Sequence, residues 1–427
     1  MPKIGYEWEL GSPPPTIEAH SLAKHDVLRE YLSNYVQILC KRPVIEQLNL
    51  TLVDGFSGGG LYTHYKSGEI IYGSPLILLN TIKEAEIQVN ITRKEHGIRN
   101  TLKINTNYYF VDKSKANSAY LHATLKESEF KSLVDKTVHL INDPFNLQLD
   151  KIICATKNMP RSQRCIFLLD QYGYSDVSFS QIKNIFNNFN NAEVILTFAT
   201  DSLINFISDE SYEQYKKIIE SIGLHEVIDV DELIEAKEDN PMWRYVIETQ
   251  LVNAIKSQSG ARFFTPFFII SRKSNRAYWL VHLSMHPRAQ DEMTRLHWKM
   301  NNHFQHYGKA GLNMLGYDPA NDATLDDQLS LGFMFDNNAR QLTHDALVID
   351  IPSKLSQYKQ GINYSEFFTM TCNNTPADDE LYREALTTLL QCKEIEIIGE
   401  SDEIRRSGKS IKNSDMIRLS TQRIIIF

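Results

Sequence analysis

The stretch LTLVDGFSGGG at residues 50–60 decides the fold, because an apolar run ends in Asp54 and three consecutive glycines follow at 58–60. Glycine has no Cβ, so its backbone adopts positive φ values and lets another group approach closely. Open α/β sheets bind ligands at the carboxyl ends of their strands. The stretch therefore predicts a buried strand that runs into a loop for a phosphate or nucleotide; an ordinary glycine-rich turn is the alternative.

The bulk composition is typical of a globular protein. The chain has 427 residues, of which 42% are hydrophobic, and this length predicts two or three domains. The formal charge of -8 argues against a protein that coats nucleic acid through its overall charge, although local basic patches are compatible with it. Partners must therefore be inferred from local patches.

Cysteine usage and hydropathy indicate the compartment. The five cysteines are scattered without a CxxC pair, so neither a disulfide framework nor a zinc site is expected. No apolar run reaches the roughly 18 residues of a membrane span, and the N-terminus lacks the basic-then-apolar order of a signal peptide. We expect a soluble, cytoplasmic protein without a metal site or a membrane partner.

The N-terminal region, residues 1–45, is predicted to be an extended leader followed by one long helix. Three consecutive prolines at 13–15 exclude a helix there. Apolar residues recur at helical spacing over residues 18–39, which predicts an amphipathic helix that packs on the sheet. His20 and Lys24 are four residues apart and share a face, so this face is either a lid over a ligand pocket or a solvated polar surface.

Acids repeatedly follow apolar runs in the next part of the chain. Asp112, Asp143 and Asp170 come after the runs at 108–111, 137–141 and 165–169, in the same way that Asp54 ends the first run. Parallel strands place their carboxyl ends along one edge of a sheet. The pattern therefore predicts an α/β fold with a doubly wound sheet, whose terminal carboxylates gather at one cleft.

The remaining segments of this domain complete the sheet. A fifth strand is predicted at 194–198, and an antiparallel pair at the sheet edge is predicted at 263–270 and 277–283. Residues 61–72 between the first strand and its helix form either a substrate flap or a surface excursion. That helix is predicted to start at Pro75 and end near Lys83, and the acidic segment 226–239 is predicted to be a solvated loop.

An ordered set of motifs resembles the three-Cys-motif partner proteins over roughly the first 300 residues. The motifs are His20…Lys24-His25…Tyr31-Leu32, VDGFSGGG at 53–60, GSPL at 73–76, FVD at 110–112, ND at 142–143, LDQYG at 169–173 and YWLVHLSMHP at 278–287. That family looks like class I S-adenosylmethionine-dependent methyltransferases, whose seven-stranded sheet ends in an antiparallel hairpin. Its name refers to a partner protein that is similar to radical S-adenosylmethionine enzymes.

The resemblance implies S-adenosylmethionine as cofactor and gives roles to the residues at the strand ends. The methionine part would lie on the loop made by Asp54, Phe56, Gly58 and Gly60. Asp112 would bind the ribose and Asp143 the adenine amine. Asp170 and Tyr172 would lie in the catalytic turn that presents the methyl acceptor, with Asp170 orienting it.

Two departures from the methyltransferase pattern leave open the alternative that the protein is catalytically silent. Amino-methyltransferases have an Asp/Asn-Pro-Pro-aromatic turn, and Gln171 and Tyr172 stand here in place of the two prolines. The separation of Asp54 and Asp112 also exceeds the roughly 20 residues expected between a glycine loop and a ribose-binding acid. Both departures bear on catalysis more than on fold.

The C-terminal part changes character after residue 302. We assign residues 46–302 to a Rossmann-like, methyltransferase-type domain, 303–345 to a linker and 346–427 to a winged-helix-like domain. Helices are predicted at 352–358, 364–372 and 376–391, the last capped by Asn374-Thr375. Strands are predicted at 395–398, 416–419 and 423–427. Three helices followed by a hairpin are typical of a winged helix.

The hairpin region is basic, and this feature predicts contact with nucleic acid. Residues 404–427 contain six basic residues against Asp415 alone, a local charge of +5, and include Arg405, Arg406, Lys409 and Lys412. Such a wing suits phosphate backbones. Winged helices also dock proteins, and the third predicted helix carries Asp378, Asp379, Glu380 and Glu384 against Arg383, which would repel a major groove.

Three functions follow from these observations. The first is methyl transfer from S-adenosylmethionine to a nucleic acid, mainly by proximity and alignment. The second is a catalytically silent nucleotide- or nucleic-acid-binding partner subunit of a separate enzyme, in phage defence. The third is a metal-dependent nuclease, because acids at a strand edge can hold Mg²⁺. No lysine follows these acids at a nuclease-like spacing, so the nuclease ranks last.

Overall fold

The computed structural model describes residues 6–159, 164–171, 175–205, 207, 212–239, 243–271, 276–300, 310–312 and 336–420. Contacts within the chain divide it into two compact units. The first unit comprises Met1–Ile234 and Leu251–His286, and the second comprises Glu235–Gln250 and Pro287–Phe427. Each unit has its own sheet and its own buried core.

The first unit alternates strands and helices along the chain. Its strands are β1 (Thr16–Ile17), β2 (Gln47–Asp54), β3 (Leu61–His64), β4 (Ile70–Tyr72), β5 (Lys103–Val111), β6 (Val138–Ile141), β7 (Arg164–Leu169), β8 (Asn191–Phe198), β9 (Phe263–Ser271) and β10 (Arg276–Ser284). Its helices are α1 (Ala19–Leu39), α2 (Ser74–Glu95), α3 (Lys115–Glu127), α4 (Phe145–Lys157), α5 (Phe179–Asn188), α6 (Thr200–Asn205) and α7 (Tyr212–Ile222). Two more helices, α8 (Val230–Asp239) and α9 (Trp243–Ser259), follow before the last two strands, and their residues within Glu235–Gln250 are assigned to the second unit.

Seven of these strands form one sheet in the order β6-β5-β2-β7-β8-β10-β9. The first five run parallel, and β10 lies antiparallel to both β8 and β9. The doubly wound sheet with a terminal hairpin is therefore the predicted methyltransferase-like fold. β2 is central and its Leu50, Leu52 and Val53 are almost fully buried, as expected for a parallel strand that is covered on both faces.

The register of β2 brings the predicted site residues to one edge. Asp54 lies opposite Phe110 of β5 on one side and Leu168 of β7 on the other. Asp112 and Asp170 each follow two residues later, so they flank the glycine loop from opposite sides. The prediction that these strand ends share a cleft is therefore confirmed for this pair.

Some predicted elements of the first unit have different bounds. α2 continues to Glu95 because Ile82, Ala85 and Val89 keep a buried face at helical spacing, and Gly97 then adopts a φ of +70°. The predicted loop at 226–239 was wrong, because α8 occupies most of it. Asp229 caps this helix by accepting hydrogen bonds from the backbone N–H groups of residues 231 and 232, and Leu233 is buried beneath it.

The segment 61–72, predicted to be a substrate flap or a surface excursion, is an ordered hairpin with exposed residues at its tip. It forms β3 and β4, which pair antiparallel, and β3 also pairs in parallel with β1 from the N-terminal leader. This small sheet fixes the leader beside the glycine loop, because Thr63 donates both its N–H and its hydroxyl to carbonyls of the proline segment. Distant parts of the sequence are thereby joined at the edge of the main sheet.

The second unit contains a winged helix. Its helices are α10 (Pro287–Met300), α11 (Asn337–Leu355), α12 (Tyr364–Thr371) and α13 (Asp379–Gln391), and its sheet is β11-β13-β12, with β11 (Ile362–Asn363), β12 (Ile395–Ile398) and β13 (Met416–Leu419). The predicted strands at 395–398 and 416–419 are confirmed. The strand predicted at 423–427 lies outside the described residues.

Two helices of the winged helix begin at other caps than those predicted. α11 starts at residue 337, inside the predicted linker, because the Asp336 side chain accepts a hydrogen bond from the Ala339 N–H. α13 starts at residue 379 because Asp378 accepts a hydrogen bond from the Leu381 N–H, so Asn374-Thr375 is not its cap. Among the described residues, no helix combines the length and apolar character of a transmembrane span.

Candidate functional site

The glycine loop after β2 is tied to both neighbouring strands. The Gly55 N–H donates to the carbonyl of Leu168, and the Ser57 N–H donates to the carbonyl of Val111. Gly58 has a φ of +59°, a left-handed conformation that favours glycine. The loop is therefore held at the point where β5 and β7 diverge, which is the ligand-binding position of such sheets.

Asp112 organises one side of this loop. One carboxylate oxygen accepts a hydrogen bond of 2.9 Å from the Gly58 N–H, and the other accepts one of 2.7 Å from the Ser114 N–H. The Asn117 amide donates to both oxygens at 3.2 and 3.3 Å. The side chain is only half-buried and lines a cavity, so lone pairs are left for a ligand hydroxyl.

Asp170 lies on the other side and is paired with a residue of α1. The Lys24 ammonium nitrogen lies 2.5 Å from one oxygen of Asp170 and 2.7 Å from the other. Burial alone would raise the pKa of Asp170, but the charge and hydrogen bonds of Lys24 hold this pKa below its ordinary value. Asp170 is therefore an ionised carboxylate beside an ammonium group.

A cavity of about 390 Å³ lies between these two acids. Gly58, Asp112 and Asp170 line it, together with Phe56 from the glycine loop and Phe145 from the start of α4. The Phe56 and Phe145 rings are 6.2 Å apart between centroids. The volume lies within the range of about 300–1,000 Å³ that is typical of small-molecule sites.

The polar face of α1 forms part of the cavity wall. His20, Lys24 and His25 all line the cavity, so this face is not simply solvated. Burial lowers the pKa of His25 to about 4, and it lowers the pKa of His20 as well. Both imidazoles are therefore neutral near pH 7, and Lys24 is the cation of this wall.

The N-terminal leader closes the cavity from above the glycine loop. Trp8 is 4% exposed, donates its indole N–H to the Leu61 carbonyl at 2.7 Å, and stacks edge-on with Tyr62. Tyr6 also contacts Tyr62, with 5.0 Å between ring centroids. A Cβ on Gly59 would lie 2.3 Å from Trp8 Cγ, so this glycine is required by the indole.

Three of the predicted cofactor residues do not line the cavity. Asp54 is fully buried beneath the loop, where burial raises its pKa to about 7. Gly60 has a φ of +80° and faces Leu121 of α3. The Asp143 carboxylate accepts a hydrogen bond from Gln148, although the next residues do line the cavity. Tyr172, the predicted partner of Asp170 in catalysis, lies outside the described residues.

Sequence reasoning did not identify several residues that line the cavity. Tyr6 and Trp8 reach it only through the pairing of β1 with β3, and no local pattern signals that pairing. Phe145 could have been found as the first residue after an Asp-Pro helix start. Gln171 was noted as a departure from a motif, and the structure places it in the cavity wall.

The basic wing divides into paired and exposed side chains. Arg405 forms a two-point ion pair with the fully buried Asp415, at 2.8 and 3.1 Å. Arg406, Lys409 and Lys412, in contrast, are exposed. Arg405 therefore holds the shape of the wing, whereas the other three predicted basic residues face solvent.

The third helix of the winged helix is covered within its own unit. The Gly408 N–H donates to the Thr387 hydroxyl, and a Cβ on Gly408 would lie 2.3 Å from the carbonyl oxygen of Arg383. The acids of α13 are engaged by arginines, because Arg340 reaches Glu380 and Glu384 at 3.5 Å. The exposed part of α13 therefore presents acidic side chains such as Glu380, rather than positive charge, to a DNA groove.

A family model described as a GMT-like wHTH domain matches residues 316–402. This match agrees with the winged-helix architecture of the second unit. No curated protein sequence matches the chain. Among the described residues, no group of three or more His, Cys, Asp or Glu side chains is arranged to hold a metal ion.

Several solved structures are also similar to the chain at low sequence identity. A Legionella pneumophila protein of the DUF519 family has 11% identity and a TM-score of 0.36, with 64% of this chain and 89% of that chain covered. A candidate class I S-adenosylmethionine-dependent methyltransferase from Listeria monocytogenes has 8% identity and a TM-score of 0.27, with 63% of each chain covered. Aeropyrum pernix fibrillarin, with bound S-adenosylmethionine, has 8% identity and a TM-score of 0.25, covering 60% of this chain and 76% of that chain. The strand order of the sheet, rather than these low scores, carries the assignment of the fold.

Proposed function

We propose that the cavity of the first unit binds S-adenosylmethionine and that the protein is a methyltransferase acting on nucleic acid. One observation carries the proposal: the ends of β2, β5 and β7 bring a glycine loop, Asp112, an aromatic pair and an ion pair around one cavity of about 390 Å³. These groups match the separate parts of the cofactor. A ribose suits a carboxylate, and an adenine suits apolar rings.

The adenosine part would lie on the Asp112 side. Asp112 keeps its position through the Gly58 and Ser114 N–H groups, so it is already oriented toward a vicinal diol. Phe56 and Phe145 supply the apolar surface for a purine. The assignment of the adenine amine to Asp143 stays a prediction, because that carboxylate accepts a hydrogen bond from Gln148.

The amino-acid part would lie near Lys24 and Asp170. An ammonium and a carboxylate in contact complement the carboxylate and ammonium of an α-amino acid. When bound, the cofactor supplies a methyl group on a positively charged sulfur; this methyl group would pass to a nucleophile of the acceptor, with S-adenosylhomocysteine as the leaving group and the acceptor's proton released to solvent. The chain contributes position and exclusion of water, since Trp8 and Tyr62 cover the cavity.

We expect Asp112→Asn to weaken binding of S-adenosylhomocysteine about tenfold or more. A hydrogen bond from a ligand hydroxyl to a charged acceptor contributes about 1.5–3 kcal/mol, and the amide would offer one acceptor fewer. Isothermal titration calorimetry on the full chain measures the affinity. Asp26→Asn, which removes an exposed carboxylate of α1, is the matched control. Equal affinities for both variants, or no binding by the unmodified protein, would overturn the cofactor assignment.

Nucleic acid would be bound by the wing rather than by the third helix of the winged helix. Arg406, Lys409 and Lys412 are exposed within seven residues of chain, on a loop that Arg405 and Asp415 hold in shape. Contacts to phosphates require accessible cations, but they do not require a helix that reads a groove. The acidic side chains of α13 and its contact with Gly408 disfavour insertion of that helix into a groove.

The wing proposal predicts a change in salt dependence. Replacing Arg406, Lys409 and Lys412 by alanine should reduce the slope of log affinity against log salt by about 2–3 for duplex DNA, because each neutralised phosphate contributes about 0.9. Fluorescence anisotropy with a labelled duplex at several salt concentrations measures the slope. A triple variant of exposed lysines in the first unit, Lys41, Lys94 and Lys103 to alanine, loses the same net charge and should keep the slope.

A silent partner subunit is the second candidate, and the Lys24–Asp170 pair favours it. Both oxygens of Asp170 accept from Lys24, so no free carboxylate is available at the catalytic turn to accept hydrogen bonds from an acceptor amine. Cofactor binding without transfer of a labelled methyl group to DNA or RNA would support this second candidate. The protein partner and the role in phage defence stay predictions that follow from the resemblance.

A further inference from the structure

Gln171 carries an amide whose orientation is fixed by the backbone. Its side-chain oxygen accepts hydrogen bonds from the N–H groups of Asp176 at 3.0 Å and Val177 at 3.1 Å. Only the oxygen of an amide can accept two such bonds, so the NH₂ group must occupy the other position. The direction of the Gln171 donor is therefore set by two independent contacts.

This NH₂ group has no partner within the part of the chain that the structure describes. Gln171 is 3% exposed and its Nε2 is buried without a hydrogen bond, yet the residue lines the cavity. A buried donor left unpaired costs about 1–3 kcal/mol. Gln171 therefore places an unpaired donor next to the cavity, and a ligand atom that reached Nε2 and accepted from it would remove this cost.

The neighbouring ion pair adds to the donor character of this wall. Asp170 precedes Gln171 in the chain, and both of its oxygens already accept from Lys24. An exocyclic amine would need acceptors here, and the carboxylate is engaged. An oxygen atom would meet the Gln171 amide as a donor. The same wall therefore favours an acceptor atom over a donor.

Aromatic side chains bound this subsite and favour a planar ligand. Tyr62 lines the cavity and packs edge-on against Tyr6, and its ring lies 5.8 Å from the His25 ring. Enzymes that modify a base hold it between aromatic side chains and recognise its polar edge by hydrogen bonds. A nucleobase in this subsite would find a ring surface and a donor edge together.

We propose that Gln171 forms a donor edge that selects, as methyl acceptor, a nucleobase with an oxygen at C4 of a pyrimidine or C6 of a purine over one with an amine at that position. This inference rests on the proposed function, since it specifies the substrate class of that site. The selected bases are of the uracil, thymine, guanine or hypoxanthine kind. Gln171 is a specificity residue in this account, because it contacts the base without taking part in bond making.

Two pairs of nucleosides test the inference, each differing at the exocyclic group. Uridine is compared with cytidine, and inosine with adenosine, by calorimetry on the full chain saturated with S-adenosylhomocysteine, so that the purine site is already filled. We expect the oxo member of each pair to bind about tenfold more tightly, as the loss of one satisfied buried donor implies. Gln171→Glu keeps the acceptor for residues 176 and 177 but replaces the donor by an acceptor, and it should abolish the preference.

A control variant and a second readout keep the test decisive. Gln37→Glu adds the same charge at an exposed position of α1 and should keep the preference. The side-chain NH₂ signal of Gln171 in the unmodified protein, followed by nuclear magnetic resonance, should shift with uridine and not with cytidine, whether or not the variant folds. Binding of S-adenosylhomocysteine without an oxo preference would overturn this inference alone. Failure to bind S-adenosylhomocysteine would overturn the proposed function.

Discussion

Trp8→Ala is expected to lower the free energy of unfolding of the first unit by about 3–5 kcal/mol, the usual cost of removing a buried tryptophan. The indole is 4% exposed, packs on Gly58 and Gly59, and donates to the Leu61 carbonyl. Its loss opens the cavity to solvent and frees the leader. Hydrogen exchange of the amides of β2, followed by mass spectrometry on the full chain, measures the change locally.

Two further variants separate the ring from its hydrogen bond. Trp8→Phe keeps an aromatic ring and removes the indole donor, so we expect a loss of about 1 kcal/mol. Gly59→Ala places a Cβ 2.3 Å from Trp8 Cγ and should destabilise the unmodified protein but cost much less in the Trp8→Ala background. Additive effects of Gly59→Ala and Trp8→Ala would contradict the packing of the indole on the loop.

Asp54→Asn is expected to stabilise the first unit by about 2–3 kcal/mol at a pH of about 8 and by much less at pH 5. Burial raises the pKa of Asp54 to about 7 from an ordinary value of 3.8, and one of its oxygens is buried without a hydrogen bond. Burial therefore destabilises the ionised form of this carboxyl relative to its protonated form. Part of the gain is offset because the new amide nitrogen would also lack a partner.

The sign of the pH effect follows from the direction of the shift. An acid whose folded pKa is raised binds its proton more tightly in the folded state, so stability falls as pH rises from about 4 toward 7. In the Asp54→Asn variant residue 54 does not titrate, so it should contribute no such fall in stability. Urea unfolding of both proteins at several pH values measures the difference. If the difference in unfolding free energy between the two proteins stayed constant across this pH range, the pKa of Asp54 would not be raised in the folded state, and the prediction would be wrong.

The sheet could be predicted from the sequence because its strands are long apolar runs that are bounded by polar residues. β2 ends in an aspartate, and β5 and β7 are each followed directly by one at the same edge; this regularity is local enough to be visible without a structure. The parallel register then places Asp112 and Asp170 symmetrically about Asp54. The starts of α11 and α13 were harder to predict, because other residues near Asp336 and Asp378 could equally well have capped these helices.

Of the residues that line the cavity, the sequence predicted mainly those next to the end of a strand. Asp112 lies in the cavity wall, whereas Asp54, predicted beside it, is buried because it belongs to the strand rather than to the loop. The cover over the glycine loop comes from Trp8, which reaches it through a pairing between segments far apart in sequence. Such long-range pairings leave no periodic signal in the chain. The fixed amide of Gln171 likewise depends on backbone groups beyond the turn.

A crystal structure of the full chain with S-adenosylhomocysteine tests the central claim most directly. The account predicts density for the ligand in the cavity, with the ribose hydroxyls within hydrogen-bonding distance of Asp112 and the purine against Phe56 and Phe145. Density at another site, or an empty cavity in crystals grown with ligand at millimolar concentration, would contradict it.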